Sequence, residues 1–214
     1  MTQPALDVVR TGAPVASARA AVVLVHGRGG SAEDMLGLAD ALGTADVAYV
    51  APQAAGGSWY PHSFLAPLEQ NEPNLTRGLD TLSHVIEKLG RHGVEPQRVV
   101  LLGFSQGACL ALEFAARNAQ RFGGIVGLSG GLIGPEGTPR SYGGSLSGTP
   151  VFLGCSDVDF HIPLKRVHES TEVLRKLGGD VTENIYPGLG HTIVQDEIEH
   201  ARRIIGSVGH VSHD

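Results

Sequence analysis

Apolar residues in this chain fall into short unbroken runs separated by segments with helical spacing. AAVVLV (20–25), VAYVA (47–51), RVVLLG (98–103), GGIVGLS (123–129) and PVFLGC (150–155) are continuous apolar runs rich in β-branched residues. That is the mark of strands covered on both faces, not of a sheet with one wet side. VTENIY (181–186) reads as a last strand. Between the runs, a helix is expected from about Ser31, where Ser31 and Asp34 form a capping box and Met35, Leu38, Ala39 and Leu42 make the apolar stripe. Leu75, Leu79, Leu82, Ile86 and Leu89 repeat at helical spacing, and ACLALEFAARN (108–118) predicts a helix apolar on most sides. Pro163 opens another helix with Val167, Leu174 and Leu177 turned inward and a stop at Gly178 and Gly179. TIVQDEIEHARRIIG (192–206) closes the chain, with Thr192 and Gln195 as its expected capping pair.

Strands alternating with helices predict an α/β protein, a mostly parallel central sheet with helices on both faces. Two connections stand out from this order. APQAAGGSWYPHSFLAPLEQNEPN (51–74) is long, turn-rich and aromatic, and residues 130–149 hold too much Gly and Pro for either regular element.

Composition narrows the picture without changing it. The 214 residues, 42% hydrophobic, suffice for one domain with a substantial core, and residues 1–214 are read as a single unit with its core at about 20–205. The net charge of −6, with Lys and Arg scattered, offers no basic face to nucleic acid or anionic lipid. Residues 1–20 lack a basic segment followed by an apolar core, and no run approaches a membrane span. Cys109 falls in a predicted buried helix and Cys155 at a predicted strand end, so both are expected as free core thiols in a cytoplasmic protein.

Candidate chemistry begins at GFSQG (103–107), which sets Ser105 between two glycines. A nucleophile elbow needs a strand that turns sharply into a helix, lifting the serine oxygen above the sheet with backbone N–H groups at the helix start beneath it. The run 98–103 before Ser105 and the helical pattern after it supply that context. GLSGG repeats the pattern around Ser129, but a Gly/Pro loop follows, and Ser129 reads as a loop residue.

A serine hydroxyl needs a base, and the base usually needs a carboxylate to orient it. Of ten histidines, His191 in YPGLGHT follows the last strand and precedes the last helix, where a hydrolase of this strand order keeps its base. The acid is open between Asp157 and Asp159, both just past the strand 150–155. One aspartate is expected to orient the histidine and the other to hold the turn before Pro163. A metal held by Asp157, Asp159 and His161 is the disfavoured reading, since the serine and His191 need none; no metal or cofactor is expected.

HGRGG (26–30), APQ followed by GGSWY (56–60), GFSQG, the Asp-x-Asp segment with an apolar residue and Pro163, and the Gly-His before the last helix resemble, in that order, the phospholipase/carboxylesterase branch of the α/β-hydrolases. That branch includes acyl-protein thioesterases and small bacterial carboxylesterases, and the resemblance spans about residues 20–205. It implies an α/β-hydrolase fold without a large cap domain, Ser105 as nucleophile and His191 as base. The family's acid segment, Gly-Asp-x-Asp-Pro-x-Val-Pro, lies without gaps on Ser156 to Pro163 and implies Asp159 as the acid, with Phe160 in place of proline. A more general Gly-x-x-Asp count from Gly154 selects Asp157 instead. The resemblance also implies an oxyanion hole at the backbone N–H groups of Arg28 and Gln106. Only these amides are required, which leaves both side chains free to vary; for the Arg28 guanidinium an ion pair with Glu33 or Asp34, or a contact with an anionic substrate group, is expected.

The expected function is hydrolysis of a small-molecule carboxylic ester or thioester through an acyl-enzyme on Ser105, with Trp59, Tyr60 and Phe64 and the loop 131–149 walling the pocket. The alternatives are a dienelactone-hydrolase-like lactonase, which in its usual form has cysteine at the elbow, and a ligand-binding protein that keeps the fold without turnover. A homodimer is left open.

Overall fold

The computed structural model describes residues 7–209 apart from Thr44. Its sheet has seven strands: β1 (Val8–Gly12), β2 (Ala20–Val25), β3 (Val47–Pro52), β4 (Val99–Phe104), β5 (Gly124–Leu128), β6 (Pro150–Ser156) and β7 (Asp180–Tyr186). The helices are α1 (Ala32–Leu42), the single turn α2 (Leu68–Asn71), α3 (Asn74–Arg91), α4 (Gln106–Arg117), α5 (Leu164–Lys176) and α6 (Gln195–Ser207).

The strand order is β1-β3-β2-β4-β5-β6-β7, parallel except for β1, which runs antiparallel to β3 with Arg10 opposite Val50. Why an inner strand such as β2 is apolar at every position follows from the layers. In β2, Ala21, Val23 and Val25 face α3, α4 and α5, whereas Ala20, Val22 and Leu24 face α1 and α6. Neither face meets water, so no polar position is tolerated. The sequence runs predicted β2 to β7 to within a residue or two at each end.

β1 was not among the expected strands. It is an edge strand, paired on one side only, and Arg10, Thr11 and Gly12 are exposed. Such a strand carries no continuous apolar run for periodicity to detect. The α6 cap also differs from expectation. The helix begins at Gln195, and the Glu197 carboxylate accepts from the Val194 N–H at 2.9 Å, so Thr192 and Gln195 are not its capping pair. The capping box at α1 forms as expected, with Asp34 N–H donating to Ser31 Oγ at 3.1 Å and Ser31 N–H donating to Asp34 Oδ2 at 2.9 Å.

The close approach of α4 to the sheet is set by two glycines. A Cβ at Gly103 would stand 2.3 Å from Gly107 O, and one at Gly107 would stand 2.1 Å from Val25 O. Both obstacles are backbone and cannot rotate away. Gly107→Ala is therefore expected to lower stability by roughly 3 kcal/mol or more, the upper range for overpacking. Gly37, exposed on α1 with no neighbouring atom within 4 Å of the position its Cβ would take, is the control. Gly37→Ala should gain about 0.5–1 kcal/mol from helix propensity. Urea midpoints for the two variants check this, and a Gly107→Ala midpoint equal to that of the unsubstituted chain would contradict the packing argument.

Candidate active site

β4 delivers Ser105 at its carboxyl end, and α4 starts at the next residue. Ser105 has φ 55° and ψ −120°, a left-handed conformation for a residue with a side chain. Such a conformation costs on the order of 1–3 kcal/mol and persists only where its surroundings hold it. Here they do: the Ser105 N–H donates to Leu128 O at 2.9 Å, and Ser105 O accepts from the Cys109 N–H at 3.0 Å. The result is a serine hydroxyl carried on the positive end of a buried helix.

His191 and Asp159 meet this serine from the ends of β7 and β6. Ser105 Oγ lies 2.8 Å from His191 Nε2, and His191 Nδ1 lies 2.7 Å from Asp159 Oδ2. The carboxylate can only accept, so Nδ1 carries the imidazole proton and Nε2 is free to accept from the serine. Asp159 is itself held on all sides. Its Oδ1 accepts from the N–H groups of His161 at 2.8 Å and Ile162 at 3.1 Å, and Cys155 Sγ lies 3.8 Å from Oδ2. Burial alone would raise this carboxyl, but the bonds from His191, His161 and Ile162 outweigh it and hold the group below its ordinary range. It stays an anion beneath the histidine.

Asp157 lies elsewhere. Its Oδ1 accepts from the Gly188 N–H at 2.8 Å, tying the loop after β6 to the loop that carries His191. Of the two aspartates left open by the residues, Asp159 reaches the histidine and Asp157 pins a turn. Asp157 thus bonds to the loop before His191 while Asp159 bonds to His191 itself, and among the described residues no group of three His, Cys, Asp or Glu could hold a metal ion.

Arg28 follows β2, and Gln106 is the first residue of α4, where a helix leaves its amides without intrahelical acceptors. Their side chains, expected to be free to vary, are not. The Arg28 guanidinium donates to Pro61 O at 2.8 Å, His62 O at 2.6 Å and Ser58 Oγ at 3.2 Å, not to Glu33 or Asp34. Gln106 accepts from the Trp59 N–H at 2.9 Å through Oε1 and donates to Tyr60 O at 2.8 Å through Nε2. Trp59 Nε1 in turn donates to His26 O at 2.8 Å, and His26 Nε2 accepts from the Ala54 N–H at 3.1 Å. HGRGG, GGSWY and GFSQG are therefore one interlocked unit.

Trp59, Tyr60 and Phe64, expected as pocket walls, are buried to 4%, 1% and 6% exposure. They pack beneath the loop 51–74 and fix its backbone against Gln106 and Arg28. The second GxSxG serine is buried as well: Ser129 follows β5 with φ 50°, and its N–H donates to Gly154 O at 2.7 Å. Cys109 and Cys155 are free and buried, as expected, and burial pushes each thiol up to about 12. Neither is a nucleophile near neutral pH.

The match to the phospholipase/carboxylesterase family model runs over residues 7–208, nearly the full length. The chain belongs to the phospholipase/carboxylesterase family. A crystal structure of a phospholipase/carboxylesterase from Dyadobacter fermentans is similar at 40% identity and a TM-score of 0.90, covering 97% of this chain and 98% of that one. Acyl-protein thioesterase 1 of Debaryomyces hansenii is 26% identical over 225 residues, 95% of this chain and 97% of that protein. Its namesake in Saccharomyces cerevisiae is 26% identical over 218 residues, 89% and 93% of the two chains. This α/β-hydrolase is a carboxylic ester hydrolase of the ester and thioester class. No helix among its described residues is long and apolar enough to cross a membrane.

Proposed function

We propose that this hydrolase cleaves esters or thioesters through a covalent acyl-enzyme on Ser105. The observation that carries the reading is the continuous chain from Ser105 Oγ through His191 to Asp159, at 2.8 and 2.7 Å. Ser105 Oγ attacks the acyl carbon while His191 Nε2 takes its proton, and Asp159 stabilises the imidazolium that results. The carbonyl oxygen becomes an oxyanion at the Arg28 and Gln106 amides, close to the start of α4. Collapse expels the alcohol or thiol, protonated by His191. Water then attacks the ester on Ser105, gives its proton to the same histidine, and releases the carboxylic acid with the serine restored.

A thioester as well as an oxoester substrate is supported by the names of the thioesterase relatives and by the mechanism, which asks only for a leaving atom that His191 can protonate. The substrate is a small molecule or an acyl group on a larger one, acted on by a single domain; the two free thiols support a cytoplasmic setting, and a homodimer stays open. Side-by-side turnover of a p-nitrophenyl ester and a thioester of the same acyl group tests the class. Hydrolysis of both with a shared pH dependence is the expected outcome, and no turnover of either would contradict it.

A further inference from the structure

Among the described residues, the large hydrophobic side chains left exposed are Val158 at 56%, Phe160 at 79% and Leu189 at 39%. All stand on the two loops that carry Asp159 and His191, and a bond from the Gly188 N–H to Asp157 ties these loops together. Scattered exposed hydrophobics need no explanation, but a group confined to the two loops that carry a reactive histidine and its carboxylate does. The rings form a continuous row. Phe160 lies 4.4 Å from the His161 ring, His161 stands edge-on to His191 at 4.8 Å, and Phe104 flanks His191 at 4.9 Å. The segment 187–190, Pro-Gly-Leu-Gly, adds no charge beside them.

Strand order says which part of a substrate would meet this row. The sheet runs β3-β2-β4-β5-β6-β7 past the site. Arg28 and Gln106 lie at β2 and β4, whereas Asp159 and His191 lie beyond β6 and β7. A carbonyl oxygen held at the amides thus points toward β2, and the leaving atom, which His191 Nε2 must protonate, lies on the β6 and β7 side. We propose that Phe160, with Val158 and Leu189, receives the leaving half of the substrate, so that the enzyme favours esters and thioesters whose alcohol or thiol is an apolar alkyl or aryl group. Phe160 is the specificity-determining residue of this surface. The proposal rests on the acyl-enzyme reading above.

The test uses the full chain and two ester series kept below their aggregation concentrations. Methyl, butyl and octyl acetates vary the alcohol, and methyl acetate, butyrate and octanoate vary the acid. Phe160→Ser is expected to lower kcat/KM for octyl acetate by about tenfold, the scale of a few methylenes losing apolar contact. Methyl acetate and methyl octanoate should stay within about twofold of the unsubstituted enzyme, since neither places an alkyl chain on this surface. Hydrolysis of the acetyl-enzyme should be unchanged, because the alcohol has already left, and Phe160→Leu should restore most of the octyl preference. Leu189→Ser should move the same ratio in the same direction. Normal turnover with an unchanged octyl-to-methyl ratio, an equal loss on methyl acetate, or a loss that follows acyl length would overturn the proposal alone. Absence of turnover by the unsubstituted enzyme on every ester would overturn the acyl-enzyme reading and this surface together.

Discussion

Ser105→Ala is expected to lower kcat/KM on a p-nitrophenyl ester by roughly 10⁴ to 10⁶, leaving only what the oxyanion amides and binding supply. The loss should be confined to chemistry. Ser105 is fixed by backbone bonds, from its N–H to Leu128 O and from the Cys109 N–H to its own O, and alanine keeps both. Alanine also accepts the strain at φ 55° no worse than serine does. The melting temperature should therefore stay within a few degrees of the starting value. Retention of a tenth or more of the activity would remove Ser105 from the mechanism, and neither buried cysteine offers a substitute, with thiols pushed up to about 12.

Asp159→Asn and Asp157→Asn are chemically identical changes two residues apart with opposite expected outcomes. At Asp159 the amide oxygen would keep the bonds from the His161 and Ile162 N–H groups, since those are donors. The amide NH₂ would then face His191 Nδ1, now 2.7 Å from a carboxylate oxygen. Donor against donor forces the proton to Nε2, the wrong tautomer to accept from Ser105, and the imidazolium loses its counter-charge. A fall in kcat of roughly 10³ to 10⁴ is expected. At Asp157 an amide oxygen can still accept from the Gly188 N–H, so the turn survives and kcat should change by no more than about threefold, the size of one exposed hydrogen bond. Equal losses, or the larger loss at Asp157, would reverse the assignment made by geometry.

How much of this is legible in the sequence depends on whether a signal lies along the chain or between distant parts of it. The five inner strands and the longer helices around them can be read because burial leaves continuous apolar runs in those strands, whereas the edge strand β1 leaves none and the other edge strand, β7, shows only a shorter mixed run. Ser105 and His191 can be placed because each stands at a strand-to-helix junction. The choice of Asp159 needs the segment on both sides of it, since two carboxylates two residues apart share the same local pattern. The Gln106 and Arg28 side-chain bonds carry no such mark: each pairs residues about 30 to 50 positions apart, and nothing in HGRGG or GFSQG says which carbonyl a guanidinium or amide will find. The loop position of Trp59, Tyr60 and Phe64 suggests wall residues, but loop residues can be buried when the loop is anchored, as this one is by Gln106 and Arg28.

The claim on which the rest depends is that Ser105 is the nucleophile. Treatment of the folded enzyme with a fluorophosphonate, followed by intact mass and peptide mapping, measures it directly. One phosphonyl adduct on the peptide carrying Ser105, lost in Ser105→Ala and strongly slowed in Asp159→Asn, is the predicted result. No adduct, or an adduct at Ser129, Cys109 or Cys155 with Ser105 unmodified, would contradict it.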